Sequence, residues 1–197
     1  MLERTVRMVI VGFGDSLTFG FPYSPRYSWL HIVGKRTGAK TINKGVCGET
    51  TADMLVRFRP AAWAEKPDFV IIMGGSNDAF AGIVPEEVAA NLQLMAERAI
   101  ANQVTPLLGL PVPCDFPEEE LLEEYRRWMR QYAAKTGIGL IDFYQVLRQE
   151  NGGIKTGYHV DGVHPNEAGY RLMADAAVGT LLQVYKIQES KQNRLVD

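Results

Sequence analysis

Short apolar segments alternate with helical patterns along this chain, and that alternation limits the folds it can adopt. The clearest apolar segment is Phe-Val-Ile-Ile-Met at residues 69–73, and weaker ones lie at residues 6–11, 41–45, 105–110 and 138–142. Aliphatic, β-branched runs of this length are typical of strands buried on both faces. Strands that alternate with helices predict a parallel sheet covered by helices on both sides, which is an α/β fold.

The segments between these strands show the periodicity of amphipathic helices. Apolar residues recur at helical spacing from Val88 to Ala99, after Pro85, which suits a first helical turn. Further helices are predicted at residues 27–38, 52–59, 121–132 and 168–185. Residues after 187 are polar and are expected to fray. We therefore expect one domain over residues 1–187 and a polar tail over residues 188–197.

Length and composition favour a single globular domain. The chain has 197 residues, of which 46% are apolar and 22% charged, and its formal net charge is -2. This balance offers no basic surface for nucleic acid, and no apolar run approaches the ~20 residues that span a bilayer. Met1 leads almost directly into the first strand, without room for a signal peptide. Cys47, expected to be buried, and Cys114 form no disulfide framework. We expect a cytoplasmic protein.

A short loop, Asp161-Gly162-Val163-His164-Pro165, places a carboxylate three residues before an imidazole. Aspartate can orient an imidazole and stabilise it when charged, while the imidazole transfers protons. A nucleophile must come from elsewhere, and Ser16, just after the first strand, is the best candidate. The sequence thus predicts Ser16 as nucleophile, His164 as base and Asp161 as the orienting carboxylate.

Acyl transfer also needs hydrogen-bond donors for a developing oxyanion. Gly48 offers a backbone N–H in a tight turn, Asn77 offers a neutral side-chain amide, and the N–H of Ser16 can complete the set. These polar, glycine-rich clusters follow predicted strands. Because ligands bind at the carboxyl ends of strands in open α/β sheets, we expect the clusters to converge on one edge.

Other interpretations of the same residues remain open. Serine and asparagine often serve only turn geometry, and the Asp161–His164 loop could merely begin a helix. His159, Asp161 and His164 could instead hold a metal ion in a hydrolase. A third hypothesis is a binding module that turns over no substrate.

Taken together, four motifs resemble those of the SGNH, or GDSL-type, esterase and lipase superfamily. They are GDSL at residues 14–17, NKGVCG at 43–48, GSND at 75–78 and DGVHP at 161–165. Ser16, Gly48, Asn77 and His164 occupy the four name-giving positions. Any one motif is weak, but four in order across about 150 residues are specific.

The resemblance implies a flavodoxin-like, three-layer α/β/α sandwich with a five-stranded parallel sheet. It also implies hydrolysis of a small-molecule ester or thioester through an acyl-serine intermediate, with no metal or cofactor. Members of this superfamily act on lysophospholipids, acyl thioesters, aryl esters and acetylated sugars, so a carbohydrate O-acetyl esterase is the runner-up to a lipid-like acyl esterase.

Four phenylalanines fall in loops that we expect near the same edge of the sheet: Phe19, Phe21, Phe80 and Phe116. They could line an acyl pocket, with Phe80 and Phe116 as the residues chosen for substrate binding. The alternative is ordinary loop packing.

Overall fold

The structure is a computed structural model that describes residues 8–58, 65–150 and 152–193, with the backbone alone for 188–193. Its centre is a five-stranded sheet in which every neighbouring pair is parallel. The strands are β1 Val9–Gly14, β2 Lys40–Gly45, β3 Phe69–Met73, β4 Thr105–Gly109 and β5 Gly139–Ile141. Their order in the sheet is β2-β1-β3-β4-β5. The predicted five-stranded parallel α/β fold is therefore confirmed.

Eight helices and one 3-10 turn, Pro25–Tyr27, accompany the sheet in the described residues. The longer helices are α2 Trp29–Thr37, α3 Thr51–Arg57, α5 Pro85–Ala101, α6 Glu119–Thr136 and α8 Glu167–Asn193. Three short helices directly follow strands: α1 Ser16–Phe19, α4 Ser76–Phe80 and α7 Phe143–Leu147. None of the described helices combines the length and apolar character needed to cross a bilayer.

Two hydrophobic cores cover the two faces of the sheet. Alternate residues of β3 divide between them, with Ile71 and Met73 on one face and Val70 and Ile72 on the other. The first core packs against α2 and α8, and the second against α5 and α6. This division follows from the period-2 alternation of side chains along a strand, and it explains why β3 is apolar throughout.

Several predicted boundaries need correction. The first strand was expected to end at Val11, but β1 continues to Gly14 because both neighbouring strands pair with it there. The last helix reaches Asn193 instead of ending at 185, so it continues through the boundary predicted at 187. The predicted start of the first strand at 6, the predicted end of the 52–59 helix and tail residues 194–197 lie outside the described residues.

Candidate active site

Ser16 begins α1 immediately after β1. Asp15 caps this helix, and its Oδ1 accepts a hydrogen bond from the N–H of Leu17 at 2.9 Å. The Ser16 side chain lies 3.1 Å, Oγ to Nε2, from His164, which is 148 positions later in the chain. Only 8% of Ser16 is exposed. The turn from β1 to α1 thus places the Ser16 hydroxyl next to the His164 imidazole.

His164 is held by Asp161 within its own loop. The His164 Nδ1 lies 2.7 Å from Asp161 Oδ2, while Asp161 Oδ1 accepts the backbone N–H groups of Val163 and His164 at 3.0 and 2.8 Å. A carboxylate on Nδ1 fixes the ring proton there and leaves Nε2 as an acceptor for the Ser16 hydroxyl. Gly162 has φ +86°, a left-handed conformation that favours glycine in this tight loop.

The electrostatics of this loop favour an ionised carboxylate. Partial burial of Asp161 acts against ionisation, but the hydrogen bonds from the His164 and Val163 N–H groups and the His164 ring outweigh it. The net result lowers the pKa of Asp161 below its ordinary value. Asp161 therefore stays negative at the pH where an imidazole exchanges its proton.

The three expected oxyanion donors come from the ends of β1, β2 and β3. The Asn77 amide donates one hydrogen bond to the Glu49 carbonyl at 2.8 Å, which leaves its second N–H available. Gly48, one residue before Glu49, is exposed with φ +83°. Among the hydrogen bonds of the described residues, none uses the backbone N–H of Ser16 or Gly48.

A cleft of about 360 Å³ opens beside Ser16. Its lining residues are Ser16, Ser76, Asn77, Phe80, Phe116, Asp161, Val163 and His164. The rings of Phe80 and Phe116 meet edge to face with centroids 5.8 Å apart. The exposed fraction is 45% for Phe80 and 42% for Phe116. Both phenylalanines chosen from the sequence therefore lie on one wall of the cleft, while Gly48 is outside the lining set.

Phe21 contacts a different part of the site, the His164 imidazole. Its ring lies against the His164 imidazole with centroids 4.6 Å apart. An aromatic ring in contact with His164 limits the orientations open to the imidazole. Phe21 thus packs on His164, whereas Phe80 and Phe116 border the cleft.

A buried carboxyl group adjoins Ser16. Asp15 is fully buried, and its Oδ2 has no hydrogen-bond partner in the part of the chain that the structure describes. Burial is the main cause that raises the pKa of Asp15 to about 7, and the nearby Asp78 adds to it. Asp78, also buried, accepts hydrogen bonds from both the N–H and the hydroxyl of Thr51.

The hypothetical metal site is not assembled from its three residues. His159 Nδ1 accepts a hydrogen bond from the N–H of Gly162 at 2.8 Å, and its Nε2 faces Asp115. Both nitrogens of His164 already face Asp161 and Ser16. Within the described ranges, no group of three or more His, Cys, Asp or Glu side chains is arranged to hold a metal ion.

Sequence reasoning missed several residues that support the site. Glu49 and Arg57 lie next to the Gly48 turn, and Asp115 contacts the loop of His164. A charged residue directly after Gly48 is visible in the sequence, but the sequence pattern does not identify Arg57, eight positions later, as its partner. Cys47 was expected to be buried and is exposed, because the turn that contains it projects from the end of β2.

Comparisons with known proteins agree with this geometry. The family model described as GDSL-like Lipase/Acylhydrolase matches residues 13–172. Esterase TesA of Pseudomonas aeruginosa is 26% identical over 171 residues, which cover 84% of this chain and 83% of that protein. An acetylxylan esterase of Geobacillus stearothermophilus is 28% identical over 170 residues, covering 75% and 74%. The solved structure of a lipolytic G-D-S-L family protein of Desulfitobacterium hafniense superposes with TM-score 0.83 at 31% identity, covering 88% of this chain and 99% of that one.

Proposed function

The chain belongs to the GDSL-like lipase/acylhydrolase family, and on that premise we propose that it hydrolyses carboxylic esters through an acyl intermediate on Ser16. Ester hydrolysis is the chemistry of the family and of its esterase relatives. The observation that carries the assignment is the continuous chain of contacts from Ser16 Oγ to His164 Nε2 and from His164 Nδ1 to Asp161.

In the proposed mechanism, His164 removes the proton of Ser16 as the hydroxyl attacks the acyl carbonyl. Asp161 stabilises the imidazolium that forms. The N–H groups of Ser16 and Gly48 and the second N–H of the Asn77 amide bind the oxyanion. His164 then protonates the leaving group and later activates water, which releases the acid and restores Ser16.

The cleft favours an apolar acyl chain over a strongly polar one. Phe80, Phe116 and Val163 supply apolar surface beside Ser16, and no lysine or arginine is among the cleft-lining residues of the described chain. A volume of about 360 Å³ lies at the small end of ligand sites. We therefore propose small or medium acyl esters as substrates, with thioesters accepted because the oxyanion is the same.

A carbohydrate O-acetyl esterase is the second candidate. The observation in its favour is the similarity to the acetylxylan esterase of G. stearothermophilus. Comparing kcat/KM for acetylated sugars with that for butyryl and octanoyl esters separates the two substrate classes. A higher value for acetylated sugars would favour this candidate.

Covalent labelling tests the proposed nucleophile. A fluorophosphonate should add once to the protein, and peptide mapping should locate the adduct on Ser16. Ser16→Ala should lose the adduct and the turnover of p-nitrophenyl acetate and butyrate. Ser76→Ala removes another serine of the same cleft and should keep the adduct. An adduct elsewhere, or none on the folded protein, would contradict the assignment.

We further propose a reducing compartment such as the cytoplasm. Support comes from the cysteines, since Cys47 and Cys114 are both free, one exposed and one buried. Cell fractionation with an antibody to the native protein tests this, and recovery with a membrane or extracellular fraction would contradict it.

A further inference from the structure

His159 lies at the base of the Asp161–His164 loop and contacts the backbone inside it. Its Nδ1 accepts the hydrogen bond from the N–H of Gly162 at 2.8 Å. The N–H of Val160 donates to the His164 carbonyl at 2.9 Å, and His159 bridges to Pro165 on the far side of the loop. The His159 imidazole therefore connects Gly162, in the middle of the loop, to the segment that precedes the loop.

Asp115 connects this imidazole to the wall of the cleft. The Asp115 N–H donates to the Gly162 carbonyl at 2.9 Å, and its Oδ1 accepts from the N–H of Ile154 at 3.0 Å. Its other carboxylate oxygen faces His159 Nε2 at 3.6 Å. Asp115 directly precedes the cleft residue Phe116, so the neighbour of that residue holds the carbonyl of Gly162 while His159 holds the N–H.

Phe116 packs on the same glycine. A Cβ on Gly162 would come within 3.1 Å of the Phe116 ring, so the ring lies against the backbone of the loop. The position of this ring and the position of His164 consequently depend on one set of contacts. A shift of Gly162 would displace the cleft wall and the base together.

We propose that His159, with Asp115, is a positioning residue that fixes the catalytic loop against the Phe116 wall of the cleft. It acts through Gly162, since its Nδ1 binds that backbone N–H and His159 is not among the described residues that line the cleft. This proposal rests on the proposed function, because it assigns the loop to an esterase. It makes His159 a determinant of both turnover and acyl-chain preference.

Two amide substitutions separate the two contacts of the imidazole. In His159→Asn, the side-chain oxygen takes the place of Nδ1 and can still accept from Gly162. In His159→Gln, the amide extends to the place of Nε2, so it faces Asp115 but no longer reaches Gly162. His159→Leu removes both contacts at similar volume.

The measurement is kcat and KM for acetyl, butyryl and octanoyl p-nitrophenyl esters. We expect His159→Leu and His159→Gln to lower kcat about 10- to 100-fold, since displacements of about 1 Å have that effect, and to lose more on octanoate than on acetate. His159→Asn should stay within about fivefold of the native protein, because it keeps the Gly162 contact and loses only the Asp115 contact, which at 3.6 Å is longer than a hydrogen bond. Equal loss in Asn and Leu variants, no loss in any variant, or a uniform loss across chain lengths would overturn the proposal.

Amide hydrogen exchange gives a second result that does not depend on activity. The Gly162 N–H should be protected in the native protein and in His159→Asn, and should exchange faster in His159→Leu. If this exchange pattern is found but Ser16 is not labelled by fluorophosphonate, the His159 contact is supported and the proposed function is rejected. Unchanged Gly162 exchange in His159→Leu would reject the contact itself.

Discussion

The Arg57 guanidinium binds the Glu49 carboxylate, with Nε at 2.8 and 2.6 Å from its two oxygens. The same guanidinium donates to the Gly14 carbonyl at 3.0 Å and lies 4.0 Å from the Phe13 ring centroid. Glu49 in turn accepts the Asn77 amide through its carbonyl. Arg57 therefore joins the end of β1 to the turn that contains Gly48 and to the residue proposed to bind the oxyanion.

Substitution of Arg57 should impair turnover more than binding. Arg57→Met keeps an unbranched apolar stem but loses the ion pair and the bond to Gly14, so the Gly48 turn is no longer fixed. We expect kcat to fall about 10- to 100-fold with a smaller change in KM. Steady-state kinetics on p-nitrophenyl butyrate measures both values.

A matched control uses another arginine in an ion pair. Arg36 binds Asp175 on the surface, and neither is among the described residues that line the cleft. Arg36→Met should leave kcat and KM unchanged, because exposed ion pairs contribute little. Equal effects of the two substitutions would mean that Arg57 acts on overall stability alone.

Asn77 is expected to contribute through its amide donors. Asn77→Asp keeps the shape of the side chain but replaces the donors with acceptors, next to a negative oxyanion. Losing one oxyanion donor lowers kcat about 100- to 1000-fold, and the Glu49 carbonyl also loses its partner. Fluorophosphonate labelling and kcat should both decline, whereas a change confined to KM would contradict the role of Asn77.

Asp161→Asn tests the tautomer of His164. The asparagine amide can donate to Nδ1, which would place the ring proton on Nε2 and remove the acceptor for Ser16. The corresponding change in a serine protease lowers kcat about 10⁴-fold. Because the pKa of Asp161 is lowered, the native protein should keep this carboxylate ionised through the acid limb of its pH profile. Near-native kcat in Asp161→Asn would contradict the triad.

The buried Asp15 predicts how stability depends on pH. The folded protein holds this proton up to about pH 7, whereas the unfolded chain releases it near pH 3.8. Between those values the folded state binds more protons, so rising pH lowers the free energy of unfolding. Asp15→Asn should therefore be more stable than the native protein at pH 8, on the order of a few kcal/mol.

Denaturant unfolding at pH 8 and pH 5 measures this difference. The advantage of Asp15→Asn should shrink as the pH falls to 5, because the native carboxyl is then protonated in the folded state. The asparagine oxygen can keep the hydrogen bond from Leu17, so the cap of α1 is preserved. An advantage that is equal at both pH values would mean that ionisation of Asp15 is not its cause.

The sequence predicted the fold because local patterns determine it. The apolar run of β3 and the spacing in α5 required only neighbouring residues, and both elements were found where expected. The sequence also predicted that Ser16, Asn77 and His164 lie close together, because each belongs to a recognisable motif, and the three residues line one cleft. The contacts that support them were not predicted, since Glu49–Arg57 and Asp115–His159 join residues whose proximity depends on how loops pack. The short helices α1, α4 and α7 are too short for the helical spacing of apolar residues to be recognised in the sequence.

Phe80 and Phe116 should determine acyl-chain preference. Each ring presents apolar surface to the cleft, and their edge-to-face contact makes one continuous wall. Phe116→Ala and Phe80→Ala should lower kcat/KM for octanoate by about tenfold, as expected when pocket surface is lost, and alter acetate little. The ratio of the two esters is the measured quantity.

Phe116→Leu is the matched control, since it keeps an apolar side chain over Gly162 and should retain most of the octanoate activity. Both aromatic residues are more than two-fifths exposed, so their truncation should cost little stability and the folded fraction should not change. An unchanged octanoate-to-acetate ratio in both alanine variants would mean that these rings pack only on neighbouring loops. Val163, the other apolar residue among the described lining residues, would then be the expected contact of the acyl chain.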